Sequence, residues 1–487
     1  MMQKTSFFIV LFSLFLTNAQ AQVLEDALRF SDFQVGGTAR SIGVGGALGA
    51  LGADFSVLST NPAGLAWYRR SRFLASPSLY NARTTSLLTN DVDGRAVEEN
   101  HANFNLNTFG LVFATPKTSK WRSINVGIGV NRLANFNQDF MFEGQSMGSI
   151  VERFQEQANS VGFIATESDL AFLTGAVYDF NEDGRYDSDV ELAPDALLQR
   201  SQTVERRGAI NELVFSVAGN YRDKLMLGAT IGVPFARYEV DKSYREADTA
   251  GDDVPFYNAL SFNEELLITG TGFNFKMGMI YRATQGIRIG AAVHTPTRFG
   301  FDEDYSTSMG YNFTDDTGTQ DLSAESEEQT RSYSLRTPWR FIGSLGFIIK
   351  KRGFLSAEVE HVNFAGNEYT IDTDQQTQNF LNEDIENFFG SAWNLRFGGE
   401  FAYEAFRFRA GYRLQDAGFE NDDSNLGIIS GGLGLRQKGF FVDLAYQHFL
   451  STENTYVPYL APTVEGDQVV ENEMGAGQLV LTAGFTF

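Results

Sequence analysis

The sequence predicts an all-β fold: a fourteen-stranded antiparallel transmembrane β-barrel with an N-terminal hatch, or plug, in its lumen. Three observations predict it. Many segments alternate apolar and polar residues with period two. The links between them alternate short and long. A stretch rich in small residues, within residues 22–71, precedes the first strand.

The chain opens MMQKTSFFIVLFSLFLTNAQAQ. Lys4 supplies a short basic start, Phe7 to Leu16 is almost wholly apolar, and Ala19-Gln20-Ala21 is a small-x-small cleavage site. This is the pattern of a secretory signal peptide, too short in its apolar run to span a bilayer as a helix. Residues 1–21 are expected to be cleaved after Ala21, and the chain is expected to leave the cytoplasm.

The 487 residues include 48 Gly, 44 Phe, 10 Pro and no Cys. An exported chain without cysteine has no disulfides, so closure of its own structure must stabilise it. With 61 acids against 38 bases the formal charge is −23, which argues against nucleic acid or anionic lipid as a partner. No later stretch approaches the roughly 20 apolar residues of a spanning helix. A β-barrel escapes that test, because its alternating strands average to a polar-looking composition.

The strands follow in order. Candidates lie near 72–82, 103–115, 122–137, 208–221, 223–242, 257–282, 286–299, 331–349, 353–370, 392–403, 405–416, 427–437, 439–450 and 476–487. In SINVGIGVNR, Ile124, Val126, Ile128 and Val130 share one face, and Asn125, Gly127, Gly129 and Asn131 the other. In FRFRAGYR, Phe406, Phe408 and Tyr412 oppose Arg407, Arg409 and Arg413; in NLRFGGEFAY, Leu395, Phe397 and Phe401 oppose Arg396 and Glu400. Period two marks strands with two unlike faces. Every even strand ends in a short link (TPKTSK, RD, ATQG, KKRG, YEA, QKG), whereas long acidic links cover 138–207, 243–256, 300–330, 371–391 and 451–475. Short turns at one rim, long loops at the other and an even strand count define an outer-membrane barrel, with chain ends and turns in the periplasm. In hydrocarbon a closed sheet pairs every backbone group, and inward Arg and Glu then face a polar lumen.

The segment GVGGALGALGADFSVLSTNPAGLA, Gly43 to Ala66, does not suit a dinucleotide loop, since no buried strand precedes it. Nor does it suit a membrane helix, since it carries Asp54 and is too short. As a plug it makes sense. A fourteen-stranded lumen is too wide for side chains to fill, and small residues let backbone pack on the wall.

This N-terminal segment with Asn61-Pro62-Ala63, followed by fourteen strands and a terminal Phe487, resembles the FadL-type outer-membrane transporters. From GGTARSIGVGG onward it is similar to the branch common in Bacteroidetes-type bacteria. The resemblance covers the mature chain. It implies a hatch carrying the Asn-Pro-Ala motif and passive uptake of long-chain fatty acids or other hydrophobic small molecules. Capture occurs at the outer loops, and release is sideways into the membrane through a gap in the wall. It also implies recognition of the terminal Phe by the barrel-assembly machinery, outer-membrane lipid around the barrel and a monomeric state. The competing classes are a general porin, which needs no hatch, and a structural or adhesive surface barrel.

Candidate capture residues lie in the longest loop, where SIVERFQEQANSVGF and SDLAFLTGAVY read as short helices. Ile150, Phe154, Phe163, Leu170, Phe172 and Leu173 offer apolar faces, which would serve equally to pack the loop on itself. Arg396, Arg407, Arg409 and Arg413 could pair a carboxylate headgroup; the alternative, favoured here, is a wall network with Glu358, Glu360 and Glu400. DFNEDGRYDSDVE sets Asp179, Asn181, Asp183 and Asp187 at the spacing of half a calcium loop, but position twelve is Val190. A solvated acidic turn is the favoured reading, with structural calcium the alternative. The four histidines, His101, His294, His361 and His448, form no triad that the spacing supports, so no enzyme and no cofactor is expected.

Overall fold

The computed structural model describes residues 18–34, 36–249, 253–420, 424–459 and 468–487. The expected signal peptide lies, up to residue 17, outside the described residues. The chain forms one continuous antiparallel sheet that closes on itself, Arg72–Leu88 pairing with Val470–Thr486 along their length. Fourteen strands build the wall, and among the described residues no helix is long and apolar enough to cross a membrane.

Alternation sets the two faces of this wall. Phe401, Phe408, Leu433, Leu444 and Leu481 stand side by side in register across five strands and all point outward. One residue away, Glu400, Arg409 and Asp443 turn inward, Arg409 and Asp443 buried and Glu400 half-buried. The outward row suits hydrocarbon and the inward row a polar interior.

Several strands run further than periodicity suggests. The first reaches Leu88, the second starts at Ala96, the fourth starts at Leu198 and the last starts at Val470. These extensions (AVEENHAN, for one) are polar on both faces, so they carry no period-two hydropathy signal. Backbone pairing alone carries them past the apolar band. The expected loop over 300–330 is largely strand: Arg298–Asp315 and Gly318–Glu325 form a hairpin arm. The expected loop 138–207 shrinks to 147–197, because Gln138–Ser146 and Leu198–Tyr221 pair across it. The 371–391 link contains a helix, Gln375–Phe388.

Four strands are interrupted, the ninth by a 3-10 turn at Phe364–Gly366 between Gly353–Asn363 and Glu368–Thr370. The third breaks at Phe136-Asn137, between Trp121–Asn135 and Gln138–Ser146. The seventh and eighth break opposite each other at Thr295-Pro296-Thr297 and Thr337-Pro338-Trp339, where proline cannot donate to the ladder. There the Thr337 hydroxyl accepts from Thr297 N at 2.9 Å and Thr337 N donates to Thr297 O at 2.9 Å, so the wall stays sealed.

Candidate functional site: a plugged lumen with a break in its wall

The segment from the short helix Ala39–Gly43 to the 3-10 helix Pro62–Trp67 lies inside the barrel, almost wholly buried. Wall side chains hold its backbone from all sides. Asn125 Nδ2 donates to Leu65 O at 2.8 Å and Ser356 Oγ to Ala47 O at 2.6 Å. Thr482 Oγ1 accepts from Ala39 N at 2.7 Å, and Glu358 Oε2 from Gly49 N at 2.9 Å. Within the segment, the Asp54 carboxylate accepts from Thr38 Oγ1 at 2.8 Å and Ser56 Oγ at 2.7 Å. The small residues are required by contact. Gly52, at φ +67°, and Gly64 meet backbone to backbone, where a Cβ on either would lie within 2.8 Å of the other's Cα.

The motif Asn61-Pro62-Ala63 is the pin of this plug. Asn61 caps the 3-10 helix, its Oδ1 accepting from Ala63 N at 3.2 Å, and Pro62 sits at the first helical position. Asn61 Nδ2 donates to Gly49 O at 2.8 Å within the plug and to Met279 O at 3.3 Å on the sixth strand. Gly278 and Gly228 of the wall leave the space that Asn61 and Pro62 fill. One buried amide therefore joins two turns of the plug to the barrel.

The lumen arginines form a wall network. Arg396 pairs with Glu358 at 2.7 Å and Glu360 at 2.5 Å, and Glu360 also pairs with Arg340. Arg409 pairs with Glu400 at 2.7 Å and Asp443 at 2.8 Å. Their charges are matched inside the wall, so Arg396 and Arg409 are not free for a headgroup. Arg407 lies at the turn, donating to the carbonyls of Glu404 at 2.9 Å and Phe406 at 2.6 Å. Arg413, by contrast, is buried with Nε and Nη2 lacking a partner among the described residues.

Above the plug the lumen is apolar. Leu133, Ile210, Ile268, Phe299, Phe301 and Leu335 line it from the wall, and Leu381 and Ile385 of the 375–388 helix roof it. The occupant of this chamber is the chain's own N-terminal helix, Asn18–Arg29, and the residue after it. Ala27 and Phe30 are fully buried there, and the Phe30 ring lies 4.5 Å from Phe301. A cavity of about 40 Å³ lies between this chamber and the plug, touched by Lys276, His294, Arg340 and Glu360. It has room for about a water, not for a lipid.

The hydrogen-bond ladder of the wall is interrupted at the break in the third strand. Below it, the second and third strands pair from Thr108↔Asn131 to Pro116↔Ser123. Above it, Gln138–Ser146 stays paired with the fourth strand but leaves the second and leans inward, burying Phe140 and Phe142. Ala96–Asn107 is then hydrogen-bonded along one edge only, to the first strand. His101 Nδ1 and Asp139 Oδ2, 2.6 Å apart, link the two unpaired edges. The chain leading into the plug touches the same break: Gln34 N donates to Leu133 O at 2.8 Å, and Gly36 packs against Arg132 O. The sequence signals nothing here beyond the asparagines around the bend; pairing partners are not encoded in a single strand.

The loop helices form as expected. Helix Ile150–Ser160 begins with a Ser149/Glu152 capping box, and Ser168–Thr174 ends on Gly175 in the left-handed region. The expected capture face divides. Ile150, Phe154 and Leu170 are buried in a second apolar cluster that glues the loop to the barrel mouth. Phe163, Phe172 and Leu173 are exposed. The Phe163 ring stands 5.0 Å from Phe172 and 4.9 Å from Tyr186, an aromatic patch on the outer surface.

The acidic stretch is a backbone-organised turn. Asp179 accepts from Asp183 N and Gly184 N, and Asp183 from Arg185 N, all within about 3.1 Å. Asp189 turns away to accept from Tyr178 and Tyr311, and burial pushes its carboxyl up from the usual range. Among the described residues no three acids or histidines converge as a metal site, so Asp179, Asn181, Asp183 and Asp187 are not brought together as ligands. His294 meets Thr60 O at 2.6 Å, His361 packs at a tilt against Trp393 and His448 stacks on Tyr446; none of these contacts, nor that of His101, joins a serine hydroxyl.

No family model and no curated protein matches the sequence. The fold is shared. A Pseudomonas aeruginosa FadL homologue superposes with a TM-score of 0.56 at 14% identity, over 94% of this chain and 100% of that one. The Ralstonia pickettii toluene transporter TbuX gives 0.52 at 15% identity, and the Pseudomonas putida toluene transporter TodX gives 0.52 at 12%. Each covers 93% of this chain and 99% of its own. The likeness establishes a FadL-like barrel and does not separate one branch of such barrels from another.

Proposed function

We propose that the chain is an outer-membrane channel for passive uptake of hydrophobic small molecules, with lateral release through the wall. The observation that carries this reading is the unpaired edge of Ala96–Asn107 beside an apolar chamber, above a lumen closed by the plug. A greasy solute gains nothing from a water-filled pore, and a lined path with a side exit keeps it out of water. Three similar folds belong to proteins described as a FadL homologue and toluene transporters, which supports the same solute class.

The finer steps are part of the proposal. The Phe163/Phe172/Tyr186 patch collects solute. The solute displaces the N-terminal helix from the chamber, and movement of residues 34–36 off the third-strand break widens the opening. Long-chain fatty acids fit if a carboxylate reaches the unpaired Arg413; uncharged hydrocarbons need no such partner. No reaction is catalysed. Insertion by the barrel-assembly machinery, with Phe487 at the end of the last strand, completes the reading, and a monomer suffices because the path lies within one barrel. The test is uptake, into cells with and without the protein, of a labelled long-chain fatty acid, of toluene and of a small polar dye. Either hydrophobic probe rising without the dye supports the proposal. Dye rising as well identifies an open porin, and no change in any probe overturns transport.

A further inference from the structure

The net charge of −23 speaks against an anionic lipid partner, yet the fold sorts charge by rim. The six short turns carry two, two, none, three, none and one Lys or Arg in chain order, against only Asp223 and Glu404. The densest stretch lies where the third to sixth strands end. Lys120, Arg122, Arg222, Lys224 and Arg282 follow one another along the rim, joined by Arg222 N→Lys120 O and Arg282 N→Lys224 O, both 2.8 Å. The one acid among them, Asp223, is already held by Arg69 at 2.9 Å and approached by Arg122 at 3.8 Å. Lys120, Arg222 and Lys224 are exposed and make no ion pair among the described residues.

The outer wall above this rim is layered in register. Next to the cations come Trp121, Tyr221 and Tyr281, Trp121 edge-on to Tyr221 at 5.4 Å. Beyond them lies an apolar trough of about 690 Å³ on the outside of the barrel. Its floor is low because Gly219, Ala229 and Ala291 face outward, and Leu227, Met277 and Met279 wall it. Cation, aromatic belt and trough are the complement of a phosphate, a glycerol backbone and an acyl chain, in that order.

We infer that this face is a binding site for an anionic phospholipid of the periplasmic leaflet, phosphate on Lys120/Arg122/Arg222/Lys224 and acyl chain in the trough. The site rests on the outer-membrane reading with the short turns toward the periplasm. Arg222 and Asp223 both take left-handed backbone (φ +54° and +56°), a two-residue turn conformation that Asn, Asp and Gly favour and Arg does not. An arginine there presents its guanidinium beyond the last backbone pair, on the Tyr221 ring at 5.3 Å.

The experiment is native mass spectrometry of the purified full-length barrel titrated with phosphatidylglycerol or phosphatidylcholine. The expected result is one tightly held phosphatidylglycerol per barrel, bound at least about tenfold better than phosphatidylcholine. K120Q/R122Q/R222Q/K224Q should abolish the preference, and D223N, which the left-handed backbone tolerates, should strengthen it. Heat-modifiable migration on gels confirms that each variant is a folded barrel; the charge-preserving R122K/R222K pair should retain the preference if the quadruple variant misassembles. Equal binding of both lipids, or a preference untouched by any of these changes, overturns the site. Because the chain has no cysteine, S119C gives a single probe. Labelling by an impermeant maleimide in intact cells would show that the turns face outward, a failure of the orientation rather than of lipid selectivity in vitro.

Discussion

Asn61 shows how much one side chain can hold. Its amide caps a helix, ties it to Gly49 and reaches the sixth strand, all at zero exposure. Replacing it with alanine removes three hydrogen bonds of about 1 kcal/mol each and leaves buried backbone groups unpaired. N61A should therefore assemble as a barrel yet leak a small polar dye faster than wild type; an unchanged leak would sink the idea that the motif pins the plug. The arginine network differs, because its partners are charged. E360Q strips one carboxylate from both Arg340 and Arg396, and losing one member of a buried pair typically costs about 3–5 kcal/mol. Urea unfolding in lipid vesicles should show a loss of that order, with uptake of a hydrophobic probe retained. Arg396 and Glu360 could be read as inward from alternation alone. A wall network of the two was the favoured reading, and it forms; that Arg413 on the next strand lacks partners for Nε and Nη2 among the described residues could not be read, since cross-strand register sets which charges meet.

At the scale of elements, the third strand decides the site. Its first half pairs on both edges and its second half on one, so the wall has a seam wherever Gln138–Ser146 faces Ala96–Asn107. Joining H101C and D139C with a short bismaleimide should clamp that seam. Uptake of a hydrophobic probe should fall several-fold while the plug and the barrel stay intact; unaltered uptake would place the exit elsewhere. The long loop makes a second prediction. F154A cuts a fully buried ring out of the cap and should cost about 3–5 kcal/mol of cap stability, seen as faster proteolysis of residues 160–190. F163S/F172S touches only the exposed patch and should leave proteolysis unchanged while slowing uptake at low solute concentration. Both helices were legible as amphipathic turns. Which apolar residues face the barrel and which face out was not, because the loop packs on distant strands as well as on itself.

For the whole molecule, the lumen is filled twice from one end of the chain: Ala39–Trp67 closes its lower part and the N-terminal helix occupies the apolar chamber above. In a planar bilayer the intact protein should show little ion conductance. Deleting residues 22–33 should raise hydrophobic uptake without conductance, and deleting 22–67 should give an open pore; conductance equal to wild type after the larger deletion would show that the wall itself closes the lumen.

By itself the sequence determined the barrel, the strand count, which residues face in and the presence of a plug, because alternation, turn length and small-residue content are local properties of a chain that must satisfy its backbone in lipid. The tertiary structure alone decided the rest: the seam, the partners of each wall arginine, the self-filled chamber and the order of the basic turns along the rim. Each of these depends on which strand lies beside which and in what register, and pairing between distant segments leaves no mark within either segment read alone.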